Sequence, residues 1–240
     1  CDCIVNFMAK SLVVESWDAP QDWMKVNALG MTHLFEILRG HEPKPFLHVS
    51  TPEVYGSSTN WVGEKTCLRP STPYAVSRAA ADMMLKAYWK AYKLPMMITR
   101  TANIYGPGQQ DFRLIPKAFN ILRDGKKMPI HGKGNSVRSF IHVRDACQAL
   151  WLLSKREEFG ETYHISTPKT HSILEVVKLI AHQLGKNHDD CYEFIPDRLG
   201  KDHAYLLNSD KMRELGWTDT ITLEEGLKDY ANRTADAKAS

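Results

Sequence analysis

Tyr74-Ala-Val-Ser-Arg78 places a phenol and a guanidinium four residues apart directly after Pro73, and side chains at that spacing share one face of a helix. A free phenol titrates near about 10 and is a poor base at neutral pH. A cation one turn away that favours the phenolate would let Tyr74 take a proton from a hydroxyl. Ser50 and Thr51, at the end of an upstream apolar run, are hydroxyls able to share that proton. The pentapeptide by itself more readily describes an amphipathic core tyrosine beside a solvated surface arginine, so its context has to separate the two.

These side chains need rigid elements to hold them. Cys3-Ile-Val-Asn-Phe-Met8, Phe46-Leu-His-Val-Ser50 and Met96-Met-Ile-Thr-Arg100 are short apolar runs of the kind buried in a parallel sheet. Trp23, Val26, Asn27, Gly30, Leu34, Ile37 and Leu38 recur at three- and four-residue steps, which predicts a helix over residues 20–39 that Gly40 ends. A polar loop over residues 51–73 precedes a second helix over residues 74–92. Strands alternating with long helices predict an α/β fold, a Rossmann-type doubly wound parallel sheet with ligands beyond the carboxyl ends of its strands. Residues 8–11, 50–53 and 101–105 then line that crevice.

From Asp111 the elements shorten and the alternation is lost. A helix over residues 115–123 is followed by a hairpin-like Met128-Pro-Ile-His-Gly-Lys-Gly-Asn135, a strand over 139–143 and a helix to Lys155. Further short elements fall at 163–165, 173–184 and 192–195, and near Lys211 and Leu223. The expected division is residues 1–110 for the first sheet and mainly residues 111–240 for a smaller C-terminal α/β lobe, with some chain returning to the sheet.

In 240 residues, 43% are apolar and 25% charged, and no apolar run approaches the roughly 18–20 residues of a membrane span. A soluble protein with no membrane partner is expected. The net charge is +3 with basic residues interspersed among acids, so the stripe of a nucleic-acid-binding surface is missing and a small anionic substrate is favoured. Five scattered cysteines, an odd number, read as reduced thiols in a cytoplasmic protein. Cys1-Asp-Cys3 lacks a second pair at zinc spacing, and the ten histidines show no metal pattern, so no metal is expected. The chain opens directly into a buried-type strand, which predicts a preceding segment. Methionines at Met83 and Met84, with Ala87, Tyr88 and Ala91, follow helix spacing and read as a packing or subunit face.

Seven segments, taken in order, resemble the sugar-nucleotide branch of the extended short-chain dehydrogenase/reductase family, most closely its dTDP-glucose-type 4,6-dehydratases. They are Asn6-Phe-Met-Ala-Lys10, Asn27-Ala-Leu-Gly30, Val49-Ser-Thr-Pro-Glu-Val-Tyr-Gly56, Pro73-Tyr-Ala-Val-Ser-Arg78, Arg100-Thr-Ala-Asn-Ile-Tyr-Gly-Pro107, Arg138-Ser-Phe-Ile-His-Val-Arg-Asp145 and Glu214-Leu-Gly-Trp217. The resemblance implies an NAD cofactor whose Gly-rich first turn is not in this sequence; Gly132 and Gly134 form a Gly-x-Gly that follows no strand-to-helix pattern. It implies a nucleotide-diphosphate hexose as substrate and a homodimer joined through the helix that starts at Tyr74.

The family roles carry over residue by residue. Tyr74 matches the base for the C4 hydroxyl, Thr51 its hydrogen-bonding partner and Glu53 the carboxylate that takes the C5 proton. Arg78 stands where the family has a Lys that bonds the cofactor ribose, an exchange that keeps the charge but changes the reach. Cofactor contacts are implied at Ala9, Ser50, Tyr74 and Arg78. Asn103, Arg138 and Arg198 match ligands of the diphosphate, and Leu114, Pro129, Ile130 and His131 match residues that frame the nucleotide base. Asn103 as an Asx-turn cap and Arg198 as an exposed ion-pair member are the plainer readings. Pro52 occupies a position where dTDP-glucose dehydratases carry an acid for the leaving hydroxyl. The resulting expectation is an NAD-dependent nucleotide-sugar 4,6-dehydratase. A 4-epimerase or decarboxylase on the same scaffold is the alternative reaction, and a non-catalytic nucleotide-sugar-binding relative the alternative class.

Overall fold

A computed structural model describes residues 1–197 and 203–236. The chain opens on β1 (Ile4–Asn6) and then runs through one helical stretch made of α1 (Pro20–Trp23), a π-helical turn (Met24–Gly30) and α2 (Met31–Arg39). β2 (Phe46–Ser50) ends in a 3-10 turn, Pro52–Tyr55, ahead of the long helix α3 (Pro73–Tyr92). β3 (Met96–Thr101) and β4 (Asn103–Tyr105) are followed by α4 (Leu114–Arg123) and β5 (Met128–His131). β6 (Val137–Arg138) and β7 (Phe140–His142) lead into α5 (Val143–Ser154), β8 (Thr162–Ile165), β9 (His171–Ser172) and α6 (Ile173–Gln183). A 3-10 turn, His188–Asp190, precedes β10 (Tyr192–Ile195), β11 (Ala204–Tyr205), α7 (Asp210–Glu214) and α8 (Leu223–Asp236).

β1, β2, β3 and β8 pair in that order and all in parallel. Alternation along each strand sends Phe46, Met96 and Ile98 against α2 and α3, and Leu47, Met97 and Tyr163 against α5. Helices therefore cover both faces, the doubly wound arrangement that the alternating pattern predicts. The same parity puts His48, Ser50 and Arg100 on the α3 face, so three polar side chains lie beneath that helix. A second core, with Phe119, Ile130, Val177, Ile180 and Leu227, is enclosed by α4, α6 and α8. Ser172 and Glu175 close the start of α6 with a reciprocal capping box.

Two expectations need correction. The helix over residues 20–39 is not regular, because its Met24–Gly30 portion is π-helical, and this wider turn carries the fully buried Asn27. Met128–Asn135 is not a hairpin: β5 pairs in parallel with β10, while β6 pairs with β9 and β11. Gly132 and Gly134, at φ values of 61° and 69°, turn the chain out of β5 without returning it alongside. Among the described residues no helix is long and apolar enough to cross a membrane.

Candidate active site

The site is assembled where β2 and α3 meet at the carboxyl edge of the parallel sheet. Thr51 leaves β2 in extended conformation and caps the 3-10 turn, its Oγ1 accepting the Glu53 amide at 3.3 Å. Pro52 fills the first position of that turn, where an N–H would have no partner, so it shapes the backbone and brings no proton. At the start of α3, Thr72 Oγ1 accepts the Ala75 amide at 3.2 Å, Pro73 follows, and the Tyr74 amide donates to Ser16 Oγ at 3.2 Å. These caps aim Tyr74 at the end of β2, where its phenol hydrogen-bonds the Thr51 side chain and feels the Glu53 carboxylate.

Burial, and next the negative charge of Glu53, push the Tyr74 phenol above its ordinary value, while Arg78, the Thr51 hydrogen bond and Arg113 pull it down. The net direction is upward. The sequence-based expectation of a cation that makes this phenol acidic is thus met in the sign of the Arg78 contribution but not in the balance, because desolvation of the phenolate outweighs it.

Arg78 is 1% exposed, which removes the reading of a solvated surface charge. Its Nη1 donates to the Met8 carbonyl at 3.1 Å and its Nη2 to the Val49 carbonyl. The neighbouring loop is held from other sides as well. Asn6 Oδ1 accepts the Met8 amide at 3.1 Å, and Asn27 grips Lys10 through both its amide, at 2.7 Å, and its carbonyl, at 2.9 Å. Asn27 Nδ2 also donates to Ser77 Oγ at 2.9 Å, and that hydroxyl donates to the Tyr74 carbonyl at 2.7 Å. The backbone of the loop is pinned while Phe7 and Met8, at 61% and 49% exposure, present their side chains to solvent.

Beneath the site a chain of buried polar groups crosses the whole sheet. His48 Nε2 lies 3.6 Å from Asp82 Oδ1 on α3, and Asp82 Oδ2 receives Arg100 Nε at 3.1 Å and Nη2 at 2.8 Å. Arg100 Nη1 donates to the Tyr55 hydroxyl, which donates to His164 Nε2 at 2.7 Å. Burial and, secondarily, a neighbouring arginine drive both imidazoles down to about 3, Arg78 acting on His48 and Arg100 on His164. Both rings are neutral at physiological pH. Sequence reading passed over His48, Asp82 and Arg100, although a His and an Arg within apolar strands and an Asp on an apolar helix face are groups that must find partners when buried.

The residues expected to meet the nucleotide sugar are more dispersed. Asn103 is exposed on β4, its amide bonded to the Ser139 carbonyl at 3.1 Å, so it belongs to a strand and caps no turn. Leu114 opens α4, half-buried against the second core. Along β5 the side chains alternate: Ile130 is core, whereas Pro129 is half-buried and His131 exposed, with His131 Nδ1 2.9 Å from the Pro196 carbonyl. Arg138 Nη1 donates to the Val137 and His203 carbonyls at 2.7 and 2.9 Å, and its guanidinium lies 4.4 Å from the Tyr205 ring centre. Arg198 lies outside the described residues. Arg113, absent from the expected set, stands at the start of α4 without a side-chain capping bond, reaches Ser11 Oγ at 3.2 Å and acts on Tyr74. Nothing in its local sequence distinguishes it from an ordinary surface arginine at the start of a helix.

Ser50 Oγ is buried and has no hydrogen-bond partner among the described residues. It is a hydroxyl with unspent bonding capacity directly before Thr51, while Ala9 lies exposed on the neighbouring pinned loop.

A family model described as GDP-mannose 4,6 dehydratase matches residues 1–230. The chain is 34% identical over 232 residues to a trifunctional UDP-glucose 4,6-dehydratase/UDP-4-keto-6-deoxy-D-glucose 3,5-epimerase/UDP-4-keto-L-rhamnose-reductase of Arabidopsis thaliana, covering 95% of this chain and 35% of that protein. It is 34% identical over 241 residues to the dTDP-glucose 4,6-dehydratase of Streptomyces niveus, covering 99% of this chain and 71% of the relative. The crystal structure of a dTDP-glucose 4,6-dehydratase from Streptomyces venezuelae, with NAD and TYD bound, superposes with a TM-score of 0.93 at 32% identity, covering 99% of this chain and 74% of that one.

Proposed function

Because this chain belongs to the GDP-mannose 4,6-dehydratase family, we propose that it carries the catalytic groups of an NAD-dependent nucleotide-sugar 4,6-dehydratase, which converts an NDP-hexose to an NDP-4-keto-6-deoxyhexose. The observation that carries this reading is the convergence of Thr51, Glu53 and Tyr74 at one point of the sheet edge. A 4-epimerase shares the hydroxyl and the phenol and has no use for the carboxylate.

In its phenolate form, which the fields of Arg78 and Arg113 favour against burial, Tyr74 takes the proton of the C4 hydroxyl, and Thr51 holds the phenol in place and shares that proton. Glu53 takes the C5 proton, which opens the way for the C6 hydroxyl to leave as water. Bound NAD supplies the hydride acceptor for C4 and the donor for C6. Ala9 and Ser50 fit its nicotinamide side. Asn103 and Arg138, with Arg198, are assigned to the diphosphate, and Leu114, Pro129 and His131 to the base; Ile130 acts there only by packing. Residues 1–110 form the NAD-binding part and residues 111–240 mainly the sugar-nucleotide lobe. Exposure of Met83, Met84, Ala87 and Ala91 on α3 supports pairing of two copies through that helix. Five unpaired thiols accord with a cytoplasmic setting.

Reaction of the intact enzyme with its NDP-hexose in heavy water tests the reading. A 4-keto-6-deoxy sugar with one solvent deuterium at C5, and with the C6 hydride originating from C4, is expected. A C4-inverted hexose that keeps its 6-hydroxyl and carries no deuterium would overturn it in favour of the epimerase.

A further inference from the structure

The contacts of Arg78 are all with backbone or buried groups. Its two terminal nitrogens are committed to carbonyls on different strands' ends, Met8 after β1 and Val49 in β2. Its Nε is buried and has no partner among the described residues, and Nη2 also lies 3.4 Å from His48 Nε2. With the side chain 1% exposed, a ligand arriving in the crevice meets no exposed guanidinium edge.

We infer that Arg78 is a positioning residue, a buried fork that ties Met8 to Val49 and so sets the crevice loop at residues 8–11 at a fixed distance from Ser50 and Thr51, without itself contacting the cofactor. The inference deepens the dehydratase reading and rests on it for the identity of the ligand, but the geometry stands in the protein alone. A guanidinium suits this task. Its donors diverge from one plane, it is weakly hydrated and it stays charged at any accessible pH, whereas an ammonium is a single point donor that burial readily neutralises. One Lys nitrogen in this place has to choose between two carbonyls facing it from different strands. The loop then gains freedom at one end only, because Asn27 still holds Lys10 and Arg113 still reaches Ser11.

The second consequence concerns Tyr74. Buried, with one bond from each terminal nitrogen to backbone, Arg78 reaches the phenol through its field, in company with Arg113 and against Glu53, while Thr51 is the group that bonds the phenol. Charge and clamp are thus separable by substitution. Arg78→Lys keeps the charge and breaks the fork, and Arg78→Met removes both.

The test is amide hydrogen exchange and tyrosine titration on the protein without ligand, so it succeeds or fails independently of which reaction is catalysed. In Arg78→Lys the Met8 carbonyl loses its guanidinium donor, so the segment should open more readily and the Met8 amide, bonded to Asn6, should exchange about tenfold faster, the loss expected for one charge-assisted hydrogen bond, while the Ile98 amide inside β3 keeps its protection. The Tyr74 phenol should titrate as in the parent in Arg78→Lys and higher in Arg78→Met, a movement that a purely structural residue would not cause. Unchanged exchange at Met8 in Arg78→Lys, together with weaker NAD binding by calorimetry, would make Arg78 a direct ligand and overturn the inference. Acceleration of Met8 and Ile98 alike would also overturn it, as mere loss of stability. If Arg78→Met does not fold, the Arg78→Lys comparison alone decides.

Discussion

Asn6 and His48 face each other across β1 and β2, paired in register, with Asn6 Nδ2 donating to His48 Nδ1 at 3.0 Å. The orientation of the amide is not free, because Asn6 Oδ1 already accepts the Met8 amide. His48 Nδ1 is therefore an acceptor, and the single proton of the neutral ring sits on Nε2, toward Asp82. His164 has the opposite tautomer, since its Nδ1 donates to the Asn208 carbonyl at 3.0 Å and its Nε2 accepts from Tyr55.

Both rings are held down to about 3 in the folded chain against about 6.5 when unfolded, so the stability they confer is complete above about pH 6.5 and is lost as pH falls toward 3. Denaturant melts from pH 7 to pH 4 should show stability falling by up to about 1.4 kcal/mol per pH unit for each imidazole. Nitrogen-detected NMR at pH 6 should show His48 protonated on Nε2 and His164 on Nδ1. A His48 that titrates near 6.5 would disprove the buried, neutral assignment.

Asp82 is the one carboxylate among the described residues that directly bonds Arg100 and lies beside His48, with Arg78 close by. Replacing it by Asn leaves the buried Arg100 guanidinium without its counter-charge. Asp82→Asn should cost about 3–5 kcal/mol in unfolding free energy. A loss below about 1 kcal/mol would mean that water reaches this cluster.

Tyr74→Phe keeps the ring and deletes the proton acceptor, so turnover by the intact enzyme should fall at least about a hundredfold with little change in substrate affinity. Glu53→Gln should leave sugar binding in place and abolish deuterium uptake at C5. Retention of most activity by Tyr74→Phe would place the base elsewhere.

Gly56 closes the turn that carries Glu53, at φ 71° and ψ −171°, a region that side chains other than glycine rarely enter. A Cβ there would stand 2.3 Å from the Arg69 carbonyl oxygen, which is backbone and cannot swing away. Gly56→Ala should cost about 1–3 kcal/mol or more and lower turnover with it, read by thermal unfolding and steady-state rates. Parent-like behaviour in both would show that the 51–56 turn is not constrained as described.

The strands and the long helices follow from local patterning, because an apolar run or a three-and-four repeat states its own period. Phe46–Ser50, Met96–Arg100 and the Pro-led start of α3 could be placed for that reason, and with them residues 50–53 at the carboxyl edge of the sheet, whereas the joining of Glu53 to Tyr74 came from the family resemblance. Pairing between distant segments carries no local signature, so the parallel match of β5 with β10 and the core position of Ile130 were decided by packing. Charge is decided the same way. Whether Arg78 points to solvent, to a ligand or to two carbonyls depends on what lies over it, and only the closed layers of sheet and helix set which partners a buried guanidinium meets. The chemistry available was written in the residue types, and its direction came from burial.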